Sequence, residues 1–100
     1  MNMARYLLTI EAQHSLQHIE SYSTKEFGKK QTVLYLTKLR DRMRFLAENP
    51  KLGVERTDLL LDWQCHSYPE GSHIIYYEIH SDHIVIIDVL HRSMEPELHL

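Results

Sequence analysis

The chain has 100 residues, 43% of them hydrophobic and 25% charged, which suits one compact domain with one core and leaves little spare chain for a separate catalytic lobe. Its net charge of −3 argues against a protein that coats nucleic acid without regard to sequence. A single cysteine, Cys65, excludes an internal disulfide framework and fits a reducing cytoplasm, where we expect the chain to reside.

No secretory leader is expected from Met1-Asn2-Met3-Ala4-Arg5, and no apolar run approaches the ~18 residues of a membrane helix. Residues 4 to 8 form a short apolar run that reads as an edge or near-edge strand, ended by Thr9, a residue suited to capping a helix. From Ile10 to about Glu26 the residues Ala12, Leu16, Ile19, Tyr22 and Phe27 recur at the spacing of one helix face. Gly28 then supplies the turn that closes this helix. A second helix carries Val33, Leu36, Leu39, Met43 and Leu46 as its apolar stripe, and Asn49-Pro50 stops it. Two such helices with a tight join predict an antiparallel hairpin whose stripes need further cover.

That cover must come from the C-terminal half. Lys51 to Asp62 reads as a loop, Gln64 to Tyr68 as a strand, and Pro69-Glu70-Gly71-Ser72 as a turn. Two β-rich runs follow, His73–His80 and His83–His91, joined by a tight turn at Ser81-Asp82, and the second is apolar enough for a strand covered by helices. Pro96 takes the tail out of the sheet. The expectation is an α+β fold of order β-α-α-β-β-β, with a helical hairpin packed on a small, mainly antiparallel sheet.

Charge is unevenly spread along this order. Between Lys29 and Lys51 seven bases stand against two acids, a local charge of +5, whereas from Val54 onward two bases face nine acids, giving −7. The basic second helix reads either as a solvated face or as a partner's seat.

Eight histidines raise the question of a metal, with His14 and His18 one helical turn apart and His80 and His83 flanking a turn. No HExxH motif accompanies them, and solvated surface histidines are the simpler account. Cys65 and His66 are neighbours in an expected strand, so their side chains leave on opposite faces and form no dyad; Cys65 reads as a small core residue. Trp63 fits a core position and an exposed contact patch equally well.

Specific residues resemble the ParE branch of the RelE/ParE toxin superfamily over nearly the whole chain. They are Tyr6-Leu7-Leu8-Thr9 with Ala12, Leu16 and Ile19; Phe27-Gly28 with Tyr35-Leu36 and Leu39; and Leu46 to Gly53 with Arg56 and Asp58. The last and most specific are Tyr68-Pro69, Gly71, His73 to Tyr77 and Val89 to Met94. The resemblance implies the toxin half of a type II toxin–antitoxin pair. In characterised ParE relatives the target is DNA gyrase, poisoned so that cleaved DNA accumulates.

Partners implied are a cognate antitoxin, ParD-like or of another ribbon-helix-helix type, and gyrase, with DNA reached only through the antitoxin complex; no cofactor and no membrane are implied. The rival within the superfamily is a ribosome-dependent mRNA endonuclease of the RelE kind, which needs a base for the ribose 2′-OH and cations for the phosphate. Here His66 stands where those nucleases resemble one another in having arginine, Ser72 follows the turn, and no tyrosine occurs after Tyr77. Arg92 does sit at a nuclease-like position, and His91 is a candidate base. A third reading is a detoxified member that only binds its antitoxin. Candidates for toxin action are Arg56, His66, His73, His91, Arg92 and Met94; candidates for antitoxin binding are Tyr22, Phe27, Lys30 and Tyr35, beside an apolar groove rimmed by Lys29, Lys30, Lys38 and Arg42.

Overall fold

The computed structural model describes residues 5 to 100, so Ala4 of the expected first strand lies outside the described residues. Strand β1 (Tyr6–Leu8) leads into helix α1 (Ile10–Phe27) and helix α2 (Lys29–Glu48). A 3-10 turn (Pro50–Leu52) precedes β2 (Val54–Glu55), and β3 (His66–Glu70), β4 (His73–Ile79) and β5 (Ile84–His91) follow. A second 3-10 turn, Pro96–Leu98, closes the chain.

The helices begin and end where the residues dictate. The Thr9 hydroxyl accepts the Ala12 N–H at 3.0 Å, satisfying one of the unpaired amides of the first turn. Gly28, at φ 88°, separates the helices, and its N–H returns to the carbonyl of Thr24. The space around Gly28 is open, with nothing within 4 Å of an added Cβ, so glycine is needed there for its positive φ alone.

One sheet carries the strands in the order β1-β5-β4-β3-β2. β1 runs parallel to β5 and every other pairing is antiparallel. The fold class is as expected, with one strand more. Residues 51 to 62 are not all loop, because Val54 and Glu55 pair with Ser67 and His66. The third strand also lies two residues later than expected, so Pro69 and Glu70 belong to β3 and only Gly71 and Ser72 remain for the turn. Proline is tolerated because β2 reaches only Ser67 and His66, leaving the β2 side of β3 without a ladder partner at Pro69.

Ala12 and Ile19 of α1 and Leu36, Leu39, Met43 and Leu46 of α2 pack on Ile75, Tyr77, Ile84, Ile86 and Val89. Each large side chain buried here stabilises by roughly 1.5–3 kcal/mol. At a register shift between Tyr76 and Tyr77, buried Asp88 accepts the Ser15 hydroxyl at 2.5 Å and the Val89 N–H at 2.8 Å, tying α1 to β5. The opposite face has its own smaller cluster of Leu59, Cys65, Tyr76 and Leu90, with Trp63 and Leu100 packed against it. Cys65 is therefore core, and Trp63 joins that core while half-buried.

Candidate functional site

The register of β4 and β5 sets His73 opposite His91, and that of β3 and β4 sets Glu70 opposite His73. Tyr35 of α2 meets these residues at the same end of the sheet. Its hydroxyl accepts the Ser72 N–H at 3.0 Å and lies 2.6 Å from Nδ1 of His73 and 3.3 Å from the carbonyl oxygen of Glu70. The His73 ring lies 5.5 Å from that of Tyr35 and meets His91 edge-on at 5.4 Å. Arg92 follows directly, its Nε donating to the carbonyl of Gly71 at 2.8 Å and its backbone N–H to that of Ser72 at 2.9 Å.

Burial, and secondarily the nearby His91, push the His73 pKa down to about 4, so the ring is neutral at physiological pH. A neutral ring carries a proton on one nitrogen only, and in the Nε2-protonated tautomer the Tyr35 hydroxyl donates to Nδ1. Burial raises the Tyr35 pKa, which keeps that proton in place. His91 Nδ1 accepts the Ser93 N–H at 3.1 Å and lies 2.8 Å from the Ser93 hydroxyl. Beside them Arg42 donates to Glu70 at 2.9 Å and covers the Tyr68 ring at 4.9 Å. Glu70 also raises the Arg42 pKa, through that hydrogen bond first.

The structure thus brings together His73, His91 and Arg92, with half-exposed Met94 two residues beyond. Arg56 lies elsewhere, on the face of Tyr76, where it pairs with Asp58 through two bonds of 2.9 and 2.8 Å and reaches the Ser67 hydroxyl at 3.3 Å. His66 does not stand just before the turn. It opens β3, is only 7% exposed and lies against Tyr77 with its Nδ1 unpartnered, so it offers no contact surface. Tyr35, expected on the antitoxin side, belongs geometrically to the His73 cluster. Glu70 was missed, and Arg42, expected on the rim of the antitoxin groove, is found here instead.

Tyr22 and Phe27 are 56% and 66% exposed on the hairpin, Lys30 is exposed at the start of α2, and Val33 of the expected stripe faces out at 55%. Thr32 is buried instead, its hydroxyl donating to the Gly28 carbonyl. A groove of about 600 Å³ runs between the helices here, lined by Thr24, Lys25, Lys29, Thr32, Val33 and Leu36 among others. Of the bases expected to rim it, Lys29 does so, while Arg42 is engaged with Glu70. His80 and His83 stack at 4.8 Å, each beside its own carboxylate, Glu78 and Asp82. Among the described residues no three histidine, cysteine or carboxylate side chains converge on a metal-sized site.

A two-helix hairpin on a five-stranded, mainly antiparallel sheet is the RelE/ParE-like α+β architecture. The structure of the chromosomal ParDE TA system from P. aeruginosa matches it with a TM-score of 0.72 at 12% identity, over 89% of this chain and 96% of that one. The profile described as ParE toxin of type II toxin–antitoxin system, parDE, matches residues 6–96. The chain belongs to that family. Toxin ParE1 of Mycobacterium tuberculosis, in strains CDC 1551 / Oshkosh and H37Rv, is 28% identical over 98 residues, covering 97% of this chain and 98% of that protein.

Proposed function

We propose that this toxin acts by binding: it grips a type II topoisomerase, DNA gyrase, and traps the cleaved complex, while a cognate antitoxin silences it by folding onto the hairpin. The observation that carries the reading is that the two arginines of this corner do not stand free together: one is paired with a carboxylate and the other is held through Nε by a turn. Arg92 Nε is held by Gly71, Arg42 by Glu70, His73 Nδ1 by Tyr35, and His91 Nδ1 by the Ser93 amide. A phosphate clamp needs more than one unpaired cation, and here Arg42 is spent on Glu70, which leaves Arg92 without a second. What the corner offers instead is a rigid, partly aromatic surface with exposed His91 and Met94, the make-up of a contact patch.

On the hairpin, exposed Tyr22 and Phe27 beside Lys29 and Lys30 suit an apolar, acidic segment that orders on binding. A ribbon-helix-helix antitoxin with such a tail would also supply the only link to DNA. Gyrase is a cytoplasmic target, in keeping with the free thiol and with the lack of any described helix that is long and apolar enough to cross a membrane. Purified toxin is expected to inhibit gyrase supercoiling and to release it when antitoxin is added. Gyrase untouched at high toxin excess, with ribosome-bound mRNA cut, would establish the nuclease instead. Harmless expression without antitoxin would identify a member that has lost toxicity.

A further inference from the structure

We infer that Tyr35 is a positioning residue for toxin action: from the hairpin it fixes the β3–β4 turn, and through that turn it sets Arg92. The inference rests on the proposed target-binding role of the corner formed by His91 and Arg92. Its basis is that one two-residue turn is held from both sides. On one side the Tyr35 hydroxyl accepts the Ser72 N–H and lies 2.6 Å from Nδ1 of His73, the residue that opens β4, to which it donates in the Nε2-protonated tautomer. On the other side the two carbonyls of the same turn, Gly71 and Ser72, accept Arg92 Nε and the Arg92 N–H.

Packing supports the same chain of contacts. Gly71 sits at φ 58°, and an added Cβ would lie 2.6 Å from Cε1 of Tyr35 and 2.8 Å from its hydroxyl oxygen. The turn is therefore pressed against the tyrosine, and a left-handed backbone with no side chain is what lets it come so close. Without the Tyr35 hydroxyl, the Ser72 amide and His73 Nδ1 lose their partners and the turn gains freedom. Arg92 bonds only to carbonyls of that turn among its described hydrogen bonds, so its guanidinium gains freedom with it. Tyr35 acts through Gly71, Ser72 and His73, which its ring and hydroxyl touch.

The test uses the full chain expressed without antitoxin, scoring growth arrest against measured toxin concentration, so the readout does not depend on the target's identity. Tyr35→Phe keeps the ring on Gly71 and removes only the hydroxyl. Because Gly71 and Ser72 are exposed and water replaces the lost bonds, its expected behaviour is a near-wild-type thermal midpoint, antitoxin affinity within about twofold, and about tenfold more toxin needed for arrest. Arg92→Ala should cost at least as much, and the double variant should be no worse than Arg92→Ala alone, as for residues acting in series.

Tyr35→Phe arresting growth at the wild-type dose, or losses that multiply in the double variant, would overturn the inference while leaving the corner's role standing. Full toxicity with weakened antitoxin binding would also overturn it and return Tyr35 to the antitoxin surface. If Arg92→Ala is itself fully toxic, the corner is not the contact surface and both readings fail. Should Tyr35→Phe not fold, Gly71→Ala carries the test by pushing the turn off the tyrosine, with the same loss expected. In the wild type, the His73 ¹⁵N shifts should report a neutral ring protonated at Nε2, and a proton on Nδ1 would remove the proposed link.

Discussion

The Tyr77 hydroxyl donates to the carbonyl of Pro50 at 2.6 Å, and it accepts the Gly53 N–H at 3.0 Å. From the middle strand it thereby pins the segment between α2 and β2. No room is left for a side chain at Gly53, where a Cβ would collide with that hydroxyl and with the Ser67 carbonyl. Tyr77→Phe strands two backbone groups in a half-buried place, at a cost of about 1–3 kcal/mol. The expected result is a thermal midpoint lower by at least about 4 °C. A melt that superimposes on the wild type would show that the pin carries no stability.

His73 predicts how stability follows pH. Its pKa falls from 6.5 to about 4 on folding, so the unfolded chain takes up a proton that the native chain refuses. Between those two values stability drops as pH falls; above 6.5 and below 4 this group contributes no further change. Urea midpoints of the wild type and of His73→Gln, compared across that window, should diverge from each other in slope. Identical slopes would mean that the ring protonates in the folded state as it does in the unfolded one.

Cys65 lies in the core of the far face, and burial pushes its thiol pKa up to about 11. Thiolate, the reactive form, is thus scarce and shielded at neutral pH. A disulfide reagent should label native protein at a rate set by unfolding and label it at once in urea. Rapid stoichiometric labelling of the native protein would contradict the packing around Leu59, Tyr76 and Leu90.

On the hairpin, Tyr22→Ala and Phe27→Ala remove large side chains that make little internal packing. Thermal midpoints should hardly move, while antitoxin affinity should fall by about tenfold or more for whichever residue anchors the partner. Titration calorimetry with the antitoxin's C-terminal segment measures this directly. Unchanged affinity in the double variant would place the antitoxin elsewhere.

Much of the architecture was readable because period and punctuation agree. Thr9, Gly28 and Asn49-Pro50 bound the helices, and the β-rich runs after Ser72 became β4 and β5. What escaped depends on distant partners. Val54 and Glu55 are a strand only because Ser67 and His66 lie beside them, and two residues carry no periodicity of their own. Tyr22 and Phe27 keep the spacing of a buried face yet are exposed, since spacing gives direction and not what lies opposite. Of the candidate residues, His73, His91 and Arg92 come together at one corner. The contacts of Tyr35 needed the pairing that carries Ser72 and His73 to α2, and the burial of His66 needed its place opposite Tyr77.

The parallel join of β1 to β5 has a consequence for synthesis. Among the described residues β5 is the sole neighbour of β1 in the sheet, and Thr9, just after β1, donates its hydroxyl to the carbonyl of Ile87, 78 positions along the chain. Such distant closure is slow and comes late. Ribosome-stalled chains ending before Ile84 should therefore lack a protease-resistant core, whereas released full-length chains should have one. A nascent copy would then be inert until β5 has been made and can reach β1, late in the translation of this domain.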